Sequence, residues 1–479
     1  MGDRLHGGQE TLAAFKHVLG ADRVYTDPVT LSLYSSDDTP RRCEPAVVLF
    51  PACHADVEAI VQIAYQSSIS LIPRSGGSGN VGGAVPVPGS AVVSLECMRR
   101  VIEFNPGERL VSVEAGIVTA DIDQCAHTAG LFYPPNPGSS AYCRIGGNIA
   151  TNAAGPRSLK YGVTRDYVLG LRVVVGNGQS LTTGCRTSKG VVGYDLTRLI
   201  VGSEGTLAIV TEATLRLVPR PPSSVTIRVA YVDASAACRG VLQVMCSPIT
   251  PAALEFLDDQ SIAIMDASTR ESLPSRTKAL LLVELDGDAQ EAGRAATLLA
   301  DALADDSAID LVIAHTHDES AQLWEARSAL SRALKRSSRR KINEDVVVPV
   351  SHLAELVAEI NVLAARHTLP VVTFGHAGNG NLHVNIMVDP TSVAEERRAH
   401  EMLHELFSAV LALGGTISGE HGIGTEKLPF VALEQTPHVL NLERGIKTLF
   451  DPRGILNPGK AIPDDRSPEH WDTAISGTA

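Results

Sequence analysis

The chain has 479 residues, of which 44% are hydrophobic and 20% are charged, and its formal net charge is -13. This composition is typical of a globular protein with two or three folding units. No basic block offsets the acidic balance, which argues against nucleic acid or an anionic membrane surface as the main partner. The eight cysteines form no C-x-x-C pair, and no apolar stretch approaches the roughly 20 residues that span a bilayer. We therefore expect a protein of the reducing cytoplasm without disulfides.

The first half of the chain consists of short β-type runs with helical stretches such as residues 55–67 between them. The runs predict strands at residues 46–50, 70–73, 91–95, 110–114, 168–175 and 207–218. The sequence Pro-Arg-Pro-Pro-Ser-Ser, which starts at Pro219, breaks the pattern and predicts a boundary. We therefore expect a first domain over residues 1–219, with its core at about 42–219.

A glycine-rich loop follows the second predicted strand, at residues 73–86. It contains a formal G-x-G-x-x-G, but a Rossmann fingerprint must open a helix, and the Ala-Val-Pro-Val-Pro-Gly that follows cannot do so. Backbone N–H groups without side chains can instead curl around an anion such as a pyrophosphate. A merely flexible loop is the alternative.

Two more glycine-rich segments lie in the first half, at residues 133–162 and 201–211. Their small and amide residues allow a flat heteroaromatic ring to lie against the backbone. Asn148, Thr151 and Asn152 are available there as hydrogen-bond partners. The three segments together favour a bound cofactor.

After the boundary, strand-like and helix-like segments alternate. Strands are predicted at residues 225–232, 279–286 and 308–314, and helices at 234–246, 289–304 and 319–337. The alternation predicts an α+β sandwich, one sheet with helices on one face, over residues 220–462. The polar tail at 463–479 is predicted to be mobile.

Two short phrases in this second domain predict a metal site, Phe-Gly-His-Ala-Gly-Asn-Gly-Asn-Leu-His-Val-Asn (374–385) and Ser-Gly-Glu-His-Gly (418–422). Asn-Gly within the first phrase is a strong hairpin signal. A two-residue turn there would place His376 opposite His383, with Cβ atoms about 5 Å apart, a spacing that suits two imidazoles sharing one divalent cation.

Glu420 would complete a His/His/Glu set with an open position, which is the pattern of a catalytic metal. His421, next to it, could then act as a base. Asn385 follows His383 by two residues and so faces the same side of the strand. The alternative is that these histidines are hairpin and turn residues satisfied by backbone groups.

Several phrases occur in a consistent order from about residue 20 to residue 462, and together they resemble one known family. They are P-x-S-G-G-S-G-x-V-G-G, I-G-G-N-I-A-T-N-A-A-G, G-Y-D-L, G-S-E-G-T-L, the two metal phrases and L-N-P-G-K. The resemblance is to the FAD-linked 2-hydroxyacid dehydrogenases of the vanillyl-alcohol oxidase / p-cresol methylhydroxylase (PCMH) superfamily. Within it, the sequence is most similar to D-lactate dehydrogenases, the FAD subunit of glycolate oxidase and D-2-hydroxyglutarate dehydrogenases.

The resemblance implies a two-part PCMH-type FAD-binding domain, an α+β (ferredoxin-like) substrate domain and a C-terminal helical segment that returns to the flavin. It also implies a set of FAD contacts in the three glycine-rich segments and the C-terminal segment. These are Arg74, Ser75, Gly76, Gly77, Ser78, Gly79, Asn80, Pro135, Ser139, Gly146, Gly147, Asn148, Thr151, Asn152, Gly155, Glu204, Gly205, Ile209 and Asn457.

The implied substrate contacts lie near a W-x-x-R phrase at residues 324–327. Arg327 would grip the substrate carboxylate, for which its planar fork is suited, and Ser331 and Lys341 would be further contacts. A helix-surface salt bridge is the alternative for Arg327, and a solvated charge is the alternative for Lys341. The basic cluster at residues 339–341 could hold a second carboxylate.

The resemblance thus implies an enzyme that binds FAD non-covalently, because Ser78 stands where covalent members place a histidine, and a divalent metal, zinc or manganese. The expected reaction oxidises a D-2-hydroxy acid, D-lactate or glycolate, to the 2-oxo acid, and D-2-hydroxyglutarate is the alternative substrate. A metal-dependent hydrolase and a non-catalytic flavin-binding protein are alternatives of other classes. The expected electron acceptor is a quinone, a cytochrome or an electron-transfer flavoprotein. Whether the protein also binds a second copy of itself, a partner subunit or the inner face of the membrane stays an open question from the sequence.

Overall fold

The structure is a computed structural model that describes residues 8–187 and 189–463. The tail predicted to be mobile lies outside these ranges from residue 464 onward. All eight cysteines are described and are free thiols. None of the described helices is long and apolar enough to cross a membrane.

The chain begins with a four-stranded sheet in the order β1-β2-β4-β3. Strands β2, β4 and β3 are parallel, and the residues of β2 and β4 are all buried, as expected for a sheet covered on both faces. Its elements are α1 (Gly8–Leu19), β1 (Val24–Tyr25), α2 (Pro28–Leu33), β2 (Val47–Leu49), α3 (His54–Ser67), β3 (Leu71–Arg74) and β4 (Ala91–Ser94).

An antiparallel sheet of five strands follows, in the order β5-β6-β10-β8-β9. Its elements and connections are β5 (Val101–Asn105), β6 (Leu110–Glu114), α4 (Thr119–His127), β7 (Leu131–Phe132), α5 (Ile145–Thr151), α6 (Ser158–Tyr161), α7 (Thr164–Tyr167), β8 (Val168–Val175), β9 (Ser180–Gly184), α8 (Leu196–Ile200), β10 (Ala208–Arg216) and β11 (Val218–Pro219). The glycine-rich loop between β3 and β4 contains no helix, which confirms that it is not a Rossmann turn.

The second half forms one antiparallel sheet of seven strands in the order β15-β12-β14-β13-β17-β18-β16. Its elements are β12 (Ser223–Tyr231), α9 (Ala234–Cys246), β13 (Ala253–Leu257), α10 (Asp259–Ala263), α11 (Ala267–Glu271), β14 (Ala279–Gly287), α12 (Ala289–Leu303), β15 (Ala308–Ala314), α13 (His317–Arg336), β16 (Arg340–Val347), α14 (Leu353–His367), β17 (Val371–Gly375), β18 (Asn381–Val388), α15 (Val393–Ala412), α16 (Val431–Glu434) and α17 (Pro437–Phe450).

Helices cover both faces of this sheet, whereas the sequence predicted helices on one face. The large core packs α9, α12, α14 and α15 against one face. On the other face, Leu330 and Leu334 of α13 pack with Phe374 and Met387. Because α13 crosses only part of this face, the remainder is left to contact the first half.

The C-terminal segment returns to the first half, as predicted. Leu456 forms a parallel bridge with Leu71 of β3, and Ile455 and Leu456 are buried in the first hydrophobic core. The backbone N–H of Asn457 donates to the carbonyl of Leu71 at 2.8 Å. The two cores otherwise divide between Leu217 and Val225, next to the predicted boundary.

Candidate active site

A cavity of about 510 Å³ lies between the two halves. One wall is formed by the glycine-rich loop after β3, by α5 and by the loop at residues 203–205. The opposite wall is formed by α13, β16 and β18, and by the loop that carries Glu420 and His421. The cavity therefore brings together the cofactor-binding and catalytic segments predicted from sequence.

His376, His383 and Glu420 meet in this cavity. One ligand atom from each lies within 4.8 Å of the others. The Nε2 atoms of both histidines are 3.5 Å from Oε1 of Glu420. A divalent cation takes nitrogen and oxygen ligands at about 2.0 to 2.2 Å, so a cation between these three atoms needs only small side-chain shifts.

The route by which the two histidines meet differs from the prediction. β17 and β18 pair Phe374 with His383, and a turn of 3₁₀-helix at Ala377–Asn379 replaces the predicted two-residue turn. His376 is therefore not opposite His383. It lies two residues beyond Phe374, on the same face, and the two imidazole centroids are 5.2 Å apart.

Glu255 of β13 holds the imidazole of His376 in place through Nδ1, the ring nitrogen that faces away from Glu420. The carboxylate oxygen Oε1 lies 2.5 Å from Nδ1 of His376, and because a carboxylate only accepts, Nδ1 must donate. The Nε2 atom is thereby directed at Glu420. A histidine that donates its second N–H to a carboxylate is the usual arrangement of a metal ligand, and Glu255 is fully buried.

The charges of this cluster suit a cation. Burial lowers the pKa of His383 to about 3, and the positive charge of His376 acts in the same direction, so His383 is neutral with its lone pair available. Burial also lowers the pKa of His376, but the carboxylates of Glu255 and Glu420 outweigh it and raise that pKa to about 10. The two carboxylates thus hold a positive charge between them, which a divalent metal can supply. The second oxygen of Glu420 is buried without a hydrogen-bond partner.

Asp345 of β16 shapes the loop that carries Glu420 and His421. Its Oδ2 accepts the backbone N–H groups of Gly419, Glu420 and His421 at 2.9, 2.5 and 2.9 Å. Its Oδ1 accepts from the ammonium of Lys427, which is buried. This buried pair fixes the loop, so the side chains of Glu420 and His421 enter the cavity.

His421 lies beside the three candidate ligands without belonging to their set. Its ring stacks on that of His383, with centroids 5.2 Å apart and an interplanar angle of 19°. Its Nδ1 is 3.4 Å from Oδ1 of Asp345, and its Nε2 is 3.9 Å from Oε1 of Glu420. This placement suits a base that acts next to a metal-bound group.

Arg327 projects from α13 into the same cavity. The helix begins with a capping box between Thr316 and Glu319, and its apolar residues pack on the sheet. The guanidinium lies over the ring of Phe374, 4.5 Å from its centroid, and its Nε donates to Oε2 of Glu255 at 2.7 Å. Arg327 is 9% exposed, which excludes the alternative of a helix-surface salt bridge.

Two glycines of the glycine-rich wall, Gly77 and Gly146, have little room for a side chain. Gly77 has a φ of +64°, and a Cβ on it would lie 2.1 Å from the guanidinium of Arg74. A Cβ on Gly146 would lie 2.6 Å from Oγ of Ser75 and 2.8 Å from the carbonyl of Ala115. Such a wall presents bare backbone to whatever the cavity binds.

Two sequence families match the chain. The family described as "FAD linked oxidases, C-terminal domain" matches residues 220–461, and that described as "FAD binding domain" matches residues 45–184. The glycolate oxidase subunit GlcD of Bacillus subtilis is 39% identical over 434 residues, covering 90% of this chain and 92% of that protein.

Two further relatives carry other substrate names. A D-lactate dehydrogenase of Archaeoglobus fulgidus is 36% identical, covering 90% of this chain and 95% of its own. A D-2-hydroxyglutarate dehydrogenase of Xanthomonas citri is 34% identical, covering 95% and 98%. The chain belongs to the FAD-linked 2-hydroxyacid dehydrogenases.

The solved structure of p-cresol methylhydroxylase with substrate bound has the same fold. Its TM-score against this dehydrogenase is 0.80 at 19% identity, covering 96% of this chain and 98% of the other. This likeness confirms the PCMH-type FAD-binding domain of the predicted fold. The family also makes the dehydrogenase an FAD-dependent oxidoreductase, which disfavours a metal-dependent hydrolase.

Most of the predicted FAD contacts line the cavity of the dehydrogenase, and the bare backbone of its glycine wall fits a flat ring and a pyrophosphate. They are Arg74, Ser75, Gly76, Gly77, Ser78, Gly79, Asn80, Ser139, Gly146, Gly147, Asn148, Thr151, Glu204 and Gly205. Five others are absent from its wall, namely Pro135, Asn152, Gly155, Ile209 and Asn457.

Two of these five have other partners. The side chain of Asn152 accepts the backbone N–H of Arg165 at 2.8 Å. The amide nitrogen of Asn457 donates to the carbonyls of Gly83 and Glu204, at 3.0 and 2.7 Å. All three bonds join segments next to the cavity, so these two residues support its wall from outside.

The predicted catalytic residues His421, Arg327, Asn385, Lys341 and Ser331 all line the cavity. The basic cluster at residues 339–341 does not act as a unit. Strand alternation places Lys341 toward the cavity and Arg340 on the opposite face, where it pairs with Glu396 of α15. Arg339, which precedes the strand, pairs with Glu395 of α15.

Three buried charged residues that the sequence patterns did not indicate, Glu255, Asp345 and Lys427, hold the candidate ligands and base in place. Glu255 interrupts a strand of otherwise apolar, buried residues, Ala-Leu-Glu-Phe-Leu at 253–257. A charged residue in such a strand is a usable signal, because it stays buried only with partners.

Replacing Asp345 by Asn should destabilise the dehydrogenase by about 3 kcal/mol, because removing one partner leaves a buried charge on Lys427 uncompensated. Glu344, whose Oε2 is 3.5 Å from the Lys427 ammonium, compensates part of that charge. Urea unfolding would measure the change. A second substitution, Lys427→Met, should restore most of the loss, and a loss below about 1 kcal/mol would contradict the role of the pair.

Proposed function

We propose that this enzyme oxidises a small D-2-hydroxy acid, D-lactate or glycolate, to the 2-oxo acid, with non-covalent FAD and a divalent metal, zinc or manganese. The observation that carries the proposal is the meeting of His376, His383, Glu420 and Arg327 in one cavity with the glycine-rich wall. The three ligand atoms suit a cation, and the guanidinium suits a carboxylate.

Each residue of the proposed site has a separate role in the reaction. Arg327 binds the substrate carboxylate through its terminal nitrogens, since Nε is already bonded to Glu255. His421 accepts the proton of the 2-hydroxyl group. When bound, the metal on His376, His383 and Glu420 supplies Lewis-acid polarisation of that hydroxyl. When bound, FAD supplies the hydride acceptor for the Cα hydrogen.

Two polar side chains complete the proposed substrate site. Asn385 lies next to His383 on the strand face and donates to the carbonyl of Val372 at 3.0 Å, while its Oδ1 is buried without a partner. That oxygen is available to accept a hydrogen bond from a substrate. Ser331, one helical turn after Arg327, lines the cavity and would be a second carboxylate contact.

The test is anaerobic reduction of the purified protein's flavin by D-lactate, L-lactate, glycolate and D-2-hydroxyglutarate. We expect rapid loss of the flavin absorption band with D-lactate or glycolate and none with L-lactate. Absence of bleaching by all four acids would overturn the proposed substrate class, even with FAD bound. The electrons must then leave to an acceptor, for which a quinone, a cytochrome or an electron-transfer flavoprotein is proposed.

D-2-hydroxyglutarate is the second candidate substrate, and Lys341 supports it. Lys341 lines the cavity, and within the described ranges its ammonium group has neither a hydrogen bond nor an ion pair. Burial lowers its pKa, and the nearby positive charge of Lys335 acts in the same direction, while Asp38 opposes both. A cation so placed suits the distal carboxylate of a five-carbon diacid.

If D-2-hydroxyglutarate is a substrate, Lys341→Ala should raise its KM by about 10- to 100-fold, which corresponds to a lost charge-assisted hydrogen bond. The KM for D-lactate should change far less, since lactate has no second carboxylate. Steady-state kinetics with both acids would measure the difference. Arg340→Ala is the matched control, because that side chain pairs with Glu396 away from the cavity. Equal changes for both acids would contradict a distal-carboxylate role.

A further inference from the structure

One carboxylate, Glu255, contacts both the candidate metal ligand His376 and the candidate substrate residue Arg327. Its Oε1 is 2.5 Å from Nδ1 of His376, and its Oε2 is 2.7 Å from Nε of Arg327. We propose that Glu255 is a positioning residue that prepares the metal site and the carboxylate grip together, so that the loss of this one side chain weakens both.

The sheet explains how Glu255 reaches both partners. β13 pairs with β17 through Phe256 and Gly375, so the next residues outward, Glu255 and His376, face each other. The side chains of Leu254 and Phe256 point into the large core, and Glu255 points to the opposite face, where α13 brings Arg327. The contact thus joins a strand, a hairpin loop and a helix.

Each of the two hydrogen bonds to Glu255 restricts the rotation of one side chain, that of His376 or that of Arg327. His376 can bind a cation through Nε2 only in the tautomer that carries its proton on Nδ1, and the carboxylate of Glu255 selects that tautomer. The Nε–H group of Arg327 donates a hydrogen bond to Glu255. The two terminal nitrogens of the guanidinium are then available, as a planar pair, to bind a carboxylate in the cavity. Glu255 is 0% exposed, so water cannot replace it in either bond.

This inference rests on the proposed function, because it assigns His376 to the metal and Arg327 to the substrate. The test uses Glu255→Asp in the FAD-loaded protein. Aspartate keeps the negative charge but is one methylene shorter, so its oxygens fall short of both partners, which lie at 2.5 and 2.7 Å from those of Glu255. Glu284→Asp is the matched control, since Glu284 is a buried carboxylate on the adjacent strand β14 whose ion pair is with Arg157.

Two equilibrium measurements report on the two partners separately. Calorimetric titration with zinc reports on the metal site. Perturbation of the flavin spectrum by oxalate in chelator-treated protein reports on Arg327, because oxalate carries carboxylates but no Cα hydrogen to transfer. We expect Glu255→Asp to raise the dissociation constant of zinc by about 10- to 100-fold. The dissociation constant of oxalate should rise about tenfold. The FAD content of the variant should equal that of the wild type. The Glu284→Asp control should bind both zinc and oxalate with the affinity of the wild type.

The outcomes separate the inference from the proposed function. If the wild type binds zinc and oxalate and Glu255→Asp changes only one affinity, or neither, the inference is overturned and the proposed function stands. If the wild type binds neither zinc nor, in the same titration, manganese, both the inference and the metal-assisted reaction are overturned. Should Glu255→Asp fold poorly, Glu255→Gln is the second variant. Its neutral amide lacks the negative charge that strengthens both hydrogen bonds and has a single accepting oxygen, so both bonds weaken and the same double loss is expected.

Discussion

His421→Ala should lower kcat by about 10²- to 10⁴-fold, the usual contribution of a general base, while the enzyme keeps its FAD. His421 is the histidine of the cavity that remains free to accept a proton, because His376 and His383 are committed to the candidate metal. Its loop is held by Asp345 through backbone bonds, which do not depend on the imidazole. The rate of anaerobic flavin reduction by the best acid would measure the loss.

His404→Ala provides the control for this substitution. His404 lies on α15, with its ring 6.4 Å from that of Phe430, and takes no part in the cavity wall. Its variant should reduce flavin at the wild-type rate. Near-normal turnover by His421→Ala would remove His421 from the role of base and leave the proton without an assigned acceptor.

Removal of the divalent metal by a chelator should lower the rate of flavin reduction by about 10³-fold, because Lewis-acid stabilisation contributes several kcal/mol. The flavin spectrum should be unchanged, since the glycine-rich wall contributes none of the three ligands. Stopped-flow absorbance, before and after the addition of zinc or manganese, would measure the loss and its reversal.

The ligand assignment predicts which variants can recover. His383→Ala should remain slow after metal is restored, because alanine cannot replace the proposed ligand, whose imidazole is kept neutral by burial. His352→Ala, which alters a surface histidine beside Glu355, should recover fully. Full activity in protein shown by mass spectrometry to contain no metal would contradict a metal-assisted reaction.

Much of the site was predictable because its chemistry is carried by short phrases. His376, His383, Glu420 and His421 lie in two glycine-rich phrases whose residue types suit metal binding, and they do meet. The loop after β3 could be separated from a Rossmann turn by the proline-rich sequence that follows it. Local backbone chemistry sufficed for both conclusions.

The register of the metal hairpin was not predictable in this way. Asn-Gly favours a two-residue turn, but the chain instead forms a 3₁₀ turn at Ala377–Asn379. The tertiary structure favours this longer connection. Gly380, at a φ of +73°, passes so close to the carbonyl of Val348 that a Cβ would lie 1.9 Å from it, and its own carbonyl accepts the N–H of Val348 at 3.0 Å.

The sequence by itself determined the fold class, the cofactor family and the residue types of the reactive centre, because these depend on local patterns and short phrases. Only the tertiary structure decided which distant charges support them. Glu255 lies 121 residues from His376, and Asp345 lies 82 residues from Lys427. Buried charges are stable only when paired, and pairing across such separations is set by how strands and loops pack.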